Sequence, residues 1–341
     1  MRFAALTLLA VLACPLWAED NKAPAVTPTG TGAAPAAPAK PTRYQESETG
    51  ITHSFLVTGG KTYIYKVDKD KTEGSITWEY PASTREGEVL ASGNILLCIS
   101  KGGKYPGGGA VEITRDQKVL WEYKGTQDEV ASIQKTADGT YVLSEEGKNP
   151  RMMEIDKDGK VVVEFPLDCQ KTNSHMETRM SRKQPDGTYL APHLLDFAIK
   201  QYDKTGKVIS VIKTDVPDKK ETWPFTAIRL PNGNTLAGLT HSGTLAEFSS
   251  EGKRVWEVTN EDVKGQGINS PLIQDACGIQ RLPNGNTIVC SYAAKPGQVR
   301  LFEITPEKKV VWKYISPDGA GVHEIHVFET NGVPLDGPVL R

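Results

Sequence analysis

Arg229-Leu-Pro-Asn-Gly-Asn-Thr-Leu236 returns fifty-two residues later as Arg281-Leu-Pro-Asn-Gly-Asn-Thr-Ile288. Weaker copies precede it: Leu90-Ala-Ser-Gly-Asn-Ile-Leu96, Thr136-Ala-Asp-Gly-Thr-Tyr-Val142 and Gln184-Pro-Asp-Gly-Thr-Tyr-Leu190. A last one, Glu329-Thr-Asn-Gly332, stands near the end. The marker glycines Gly93, Gly139, Gly187, Gly233, Gly285 and Gly332 are spaced by 46, 48, 46, 52 and 47 residues. A fixed period of this length is the mark of a repeat architecture.

A second signature follows each of the first five markers. It reads Val111-Glu-Ile-Thr-Arg-Asp-Gln-Lys-Val-Leu-Trp121-Glu-Tyr123, with copies beginning at Met153, Gln201, Ala246 and Phe302. A further copy, ahead of the first marker, runs from Tyr65 through Trp78. Asn-Gly and Asp-Gly favour tight hairpins because glycine adopts positive φ without strain. The flanking runs are short, β-branched or aromatic, and alternate with period two. The Asp-x-x-Gly-Lys stretch supplies a second hairpin. Each unit therefore reads as four antiparallel strands, which is one propeller blade.

The expected fold is all-β: a six-bladed β-propeller of four-stranded antiparallel blades. No segment has a helical period. Residues 51–80 lack a first strand, and His323 to Gly332 forms a lone one, so the two ends should complete one blade. That closes the ring and removes a free sheet edge. The tryptophans of the second signature, Trp78, Trp121, Trp256 and Trp312, should pack between adjacent blades.

The repeats resemble those of the quinoprotein alcohol dehydrogenase-like propellers, the PQQ-repeat proteins, over about residues 50–332. The resemblance implies the fold. The dehydrogenases of that family have eight blades, a quinone, a calcium ion and usually adjacent cysteines. This chain has six markers and no adjacent cysteines, which places it in a six-bladed, non-dehydrogenase branch. Bacterial arylsulfotransferases, which use a channel histidine, and an eight-bladed outer-membrane assembly lipoprotein are similar in repeat style.

The 341 residues carry a net charge of −2 with both signs interspersed. That argues against a nucleic-acid partner, which requires a concentrated basic surface. Phe3 to Ala13 is an apolar run of eleven after Met1-Arg2, too short to span a bilayer and suited to an export signal. Two processing readings stand: cleavage after Ala18, giving a signal peptide over 1–18, or lipidation of Cys14, ending the signal at residue 13. Between Ala23 and Thr42, eighteen of twenty residues are Ala, Pro, Thr or Gly. A disordered linker is expected over 19–43, with the propeller over 44–341. The expected location is periplasmic or secreted, with lipid anchoring at Cys14 the one membrane attachment. No disulfide is expected among Cys98, Cys169, Cys277 and Cys290, since repeat register separates them.

Function on a propeller collects where loops enter the inner strands. Counting back from the markers gives Arg85, Glu129, His175, Glu177, Arg179, Trp223, His323 and His326 as the expected ligand-binding ring. Arg85 and Arg179 would clamp an anion, and Trp223 would stack. His175 or His323 could act as base or nucleophile. The reading is a monomeric binding or scaffold module for a protein or a small polar or anionic ligand, with no cofactor. The rival is a channel-mouth enzyme, either a histidine-dependent hydrolase or transferase, or a degenerate PQQ-type oxidoreductase. A divalent metal at the three histidines with Glu177, Asp275 and Glu324 is the other cofactor option beside PQQ. Asp68 to Glu79 only faintly echoes a calcium loop, since Glu73 stands where the turn needs glycine. Gly102 to Gly109 reads as a loop, not a phosphate cradle.

Overall fold

The computed structural model describes residues 43–171, 173–215 and 221–341. The signal, the Cys14 reading and the linker up to residue 42 lie outside the described residues. Among those described, no helix is long and apolar enough to cross a membrane.

The strands run β1 (Tyr44–Glu46), β2 (His53–Gly59), β3 (Thr62–Val67) and β4 (Gly74–Tyr80), then β5 (Thr84–Val89), β6 (Ile95–Ile99), β7 (Gly109–Ile113) and β8 (Val119–Lys124). Next come β9 (Glu129–Lys135), β10 (Tyr141–Glu146), β11 (Arg151–Ile155) and β12 (Val161–Pro166), then β13 (Arg182–Lys183), β14 (Tyr189–His193), β15 (Ala198–Tyr202) and β16 (Val208–Lys213). The chain continues through β17 (Trp223–Arg229), β18 (Thr235–Thr240), β19 (Thr244–Phe248) and β20 (Arg254–Thr259), then β21 (Ala276–Arg281), β22 (Thr287–Ser291), β23 (Val299–Ile304) and β24 (Val310–Ile315). It ends with β25 (Val322–Thr330) and β26 (Val333–Pro334).

These form six antiparallel sheets, one per blade: a six-bladed propeller. β5–β8 make blade 2, and each following set of four makes the next, to β21–β24 as blade 6. Blade 1 is closed as the repeat pattern requires: β25 pairs with β2, Leu56 facing His326 and Val57 facing Ile325. The N-terminal strand β1 adds an unanticipated fifth strand beyond β24, with Tyr44 opposite Ile315. It covers an edge that would otherwise expose unpaired backbone groups.

The marker turns are mostly not two-residue hairpins. Gly233 N–H bonds to Leu230 O, Leu230 N–H bonds to Asn234 O, and Gly233 alone takes φ of 86°. This is a type I turn closed by a left-handed glycine, the three-residue hairpin loop. Only the last copy turns in two residues: Asn331 and Gly332 both have positive φ, and Thr330 faces Val333.

Burial follows strand position. β6, β7 and β10 are buried throughout because neighbouring blades cover both faces. The outer β4 alternates between half-buried and exposed. Two residues of the repeat explain how blades stay in register. The third-strand glutamate accepts from its own blade and from the next one. Glu112 takes Asn94 Nδ2 (2.8 Å) from blade 2, and Lys135 Nζ (2.6 Å) and Tyr141 OH (2.6 Å) from blade 3. Glu154 takes Thr140 Oγ1 (2.6 Å), Lys183 Nζ (2.9 Å) and Tyr189 OH (2.6 Å). Gln201 receives Arg229, Glu247 receives Arg281, and Glu303 meets His53 Nε2 at 2.8 Å across the closure.

The tryptophans form the outer seam. Trp78 Nε1 donates to Arg115 O, Trp256 Nε1 to Pro306 O, and Trp312 Nε1 to Gln45 Oε1. Trp121 stacks on Tyr141 with centroids 3.8 Å apart. Each contact reaches the following blade or its added strand. Cys98, Cys169, Cys277 and Cys290 carry free thiols.

Candidate functional site

The inner strands β5, β9, β13, β17, β21 and β25 line the channel, and their N-terminal ends define its mouth. Five of these strands have five or more residues, but β13 has two. The preceding stretch leaves the sheet as a turn: Met176 N–H bonds to Asn173 O, and Met180 has φ of 41°. A single bridge, Thr178 with His193, keeps it against β14. The departure places His175 and Arg179 at the channel mouth.

There the structure joins three blades. Arg85 on β5 is ion-paired with Glu129 on β9. His175 Nδ1 lies 3.1 Å from both Arg85 Nη2 and Glu129 Oε2. Glu129 is fully buried, whereas the His175 side chain is 57% exposed, so a buried carboxylate backs a solvent-facing imidazole. Desolvation, then Arg179, Arg85 and Lys101, lower the His175 pKa to about 4, so the ring is neutral at pH 7. Burial and the nearby Arg179 lower Arg85 to about 10.

Arg179 points the other way, donating to both Glu146 oxygens at 2.9 and 2.8 Å. Its guanidinium carbon lies 6.0 Å from the Phe225 ring centroid. Complete burial raises Glu146 to about 7 in spite of this partner.

His323 joins the same group from β25. Its Nδ1 lies 3.2 Å from the Thr84 carbonyl, which can only accept, so the proton sits on Nδ1 and Nε2 keeps a lone pair. The ring stacks on Tyr292 (5.1 Å) and Phe225 (6.1 Å). Burial, with Arg85 next, drops its pKa to about 3. Phe225 belongs to an apolar cluster with Met180, Leu194 and Cys277, against which Met176, Trp223 and Tyr292 pack half-buried. The mouth thus has a charged and imidazole side and a flat apolar side.

Two expected ring members do other things, and Trp223 lies at the margin of the mouth. Glu177 turns into the structure and accepts the Gly147 N–H at 2.9 Å, capping the chain after β10. Trp223 sits at the margin against the half-exposed His241, with centroids 4.6 Å apart. His326 lies farther along β25, buried, where Nδ1 accepts the Val89 N–H at 3.0 Å. Its position three residues past His323 carries it below the mouth. Phe225, Tyr292 and Met176 were missed, because apolar residues in and beside strands read as core. A cleft of about 490 Å³ lies elsewhere, on blade 3 around Gln127, Arg151 and Glu164. No group of three or more metal-ligating side chains occurs among the described residues.

No protein-family model and no curated protein matches the chain. Solved structures do. A protein of unknown function from Bacteroides caccae aligns with TM-score 0.65 and 23% identity, over 80% of this chain and 98% of that one. A catalytically inactive virginiamycin B lyase variant from Staphylococcus aureus, with quinupristin, gives TM-score 0.53 and 14% identity over 80% and 87%. The periplasmic gluconolactonase of Pseudomonas aeruginosa gives TM-score 0.53 and 14% identity over 85% and 99%. The likeness is one of fold.

Proposed function

We propose that this protein is an exported, monomeric propeller that binds a small ligand with a flat apolar body and a polar or anionic group at the channel mouth. It performs no chemistry of its own and uses no cofactor. The observation that carries the reading is the juxtaposition of Met176, Trp223, Phe225 and Tyr292 with His175, Arg85 and His323. Aromatic walls supply area at low entropic cost, and a few placed polar groups fix orientation. His323 Nε2 offers an acceptor there. The export part of this proposal rests on the apolar run from Phe3 to Ala13, and its placing in a six-bladed branch of the quinoprotein-like group rests on the repeats.

A thermal-shift survey with quinones, aryl anions, sugars, calcium and zinc tests this. A ligand that raises the melting temperature of the parent but not of His175→Ala supports the mouth. A shift of equal size in both chains, or none with any compound, removes it.

One observation favours a second reading. Glu129 beside His175 Nδ1 is the arrangement that orients a histidine base, and a lyase of the same fold is catalytically inactive when one histidine is replaced. Turnover of a bound ligand, lost in Glu129→Gln, would select the enzyme.

A further inference from the structure

The closing residues do something unusual for a tail. After β26, Leu335 N–H bonds to Phe328 O. The chain is then exposed from Asp336 to Val339. It returns at Leu340, whose carbonyl accepts the Arg281 N–H at 2.8 Å at the far end of inner strand β21. Leu340 packs half-buried against the blade 5–blade 6 core. Arg341 then enters the channel from the end opposite the mouth, with only 3% of its side chain exposed.

Its guanidinium is divided between two blades. Nη1 donates to Glu324 Oε1 on β25 at 2.5 Å, and Nη2 to Glu88 Oε2 on β5 at 2.7 Å. The other cation at this level is Arg182, which serves Glu86 and also reaches Glu324 at 3.2 Å. Three carboxylates therefore share two guanidiniums. Without Arg341, the fully buried Glu324 would keep the Gly87 N–H on Oε2 at 2.9 Å and one long contact to Arg182, its Oε1 losing the short charged bond, and Glu88 would keep none of its ion pairing. An unpaired buried carboxylate is strongly unfavourable. The forked, planar donor set matches two separated acceptors in a way a lysine ammonium does not.

We infer that this end of the channel is a docking site for an extended peptide segment carrying an apolar residue followed by an arginine, and that Leu340–Arg341 occupies it in cis. Three points define recognition: the Arg281 backbone N–H, the apolar shelf for Leu340, and the Glu88–Glu324 pair for the guanidinium. The tail holds the site because its short exposed span keeps the arginine at millimolar-order effective concentration. A partner presenting the same pattern on an extended segment would compete for it. This site is independent of the mouth and stands or falls separately.

The test is the full-length Arg341→Ala variant, melted with and without an acetyl-Val-Leu-Arg peptide. The variant is expected to melt roughly 5–10 °C below the parent. Several millimolar peptide should restore most of that loss in a saturable way. Acetyl-Val-Leu-Lys should restore little, and the parent should not respond. Melting equal to the parent, no rescue, or equal rescue by the lysine peptide overturns the inference. Should Arg341→Ala fail to fold, full-length Glu88→Gln gives a second reading through hydrogen exchange. The Arg281 amide should exchange about tenfold faster or more while amides of β6 are unchanged. Unchanged exchange at Arg281 rejects the site.

Discussion

Replacing Glu154 by alanine cuts one blade-to-blade latch at a known place. Glu154 is 4% exposed and accepts from Thr140, Lys183 and Tyr189. Tyr189 is 1% exposed, so its hydroxyl would be left without a partner away from water, at a cost of about 1–3 kcal/mol. The Lys183 side chain is 22% exposed and can rehydrate, so its charged hydrogen bond contributes about 1–2 kcal/mol. The expected total is about 2–5 kcal/mol, read from urea midpoints at constant slope. Glu164→Ala is the control: Glu164 pairs with Arg151 but is 46% exposed, and its loss should cost under about 1 kcal/mol. In a Tyr189→Phe background the cost of Glu154→Ala should fall by about 1–2 kcal/mol, because no hydroxyl remains to be orphaned. Acid gives the same answer. Burial pushes the Glu154 carboxyl up, but Lys183, Thr140 and Tyr189 outweigh it and hold it below its ordinary 4.5. Its contribution is complete above that value and disappears as pH falls through the folded-state pKa. Glu154→Gln should flatten this acid limb. If Glu154→Ala costs no more than Glu164→Ala and shows no coupling to Tyr189, the latch account is wrong.

Gln45→Ala should cost about 2–3 kcal/mol in chemical unfolding, since it strips β1 of its bonds to His53 and leaves the fully buried Trp312 indole N–H unpaired. Gly278→Ala should be more damaging than an ordinary strand substitution. A Cβ there would lie 2.6 Å from both the Glu324 Cα and the His323 carbonyl oxygen, so β25 must shift, and a changed His323 ring shift would report it. His175 should titrate by NMR with a midpoint about 4, moving upward in Arg85→Ala as a repelling cation is removed from beside the buried Glu129. A His175 midpoint at the free-imidazole value would contradict the geometry of the mouth.

Much of the fold was legible because a period near 47 residues repeats both hairpins, and glycine holds the left-handed position in every marker turn, although Gln117 and Lys308 take it in two copies of the second hairpin. Even the closure could be read, since residues 51–80 lack one strand and His323 onward supplies it. The latch residues were visible as letters, such as Glu112 with Lys135 or Glu247 with Arg281, but not as partners. They stand in different blades, and only the assembled ring brings them within bonding distance. β1 escaped notice because three residues, Tyr44 to Glu46, carry no period. The site was half legible. Asn173 to Arg179 stood out as polar chemistry, and it is where β13 breaks down. Counting along strands could not show that Arg179 turns to Glu146 or that His326 lies below the mouth. Nor could it show that Phe225 and Tyr292 flank His323, because stacking across blades leaves no trace in spacing.

The most direct test of the central claim is an NMR titration of the His175 and His323 imidazoles against a small set of flat aromatic anions, neutral aromatics and sugars. Binding at the mouth predicts that a flat ligand with a polar group shifts both rings together in a saturable way, leaving the buried His193 ring on blade 4 unmoved. If no ligand moves either ring, or if binding seen by thermal shift leaves both unchanged, the channel mouth is not the binding site.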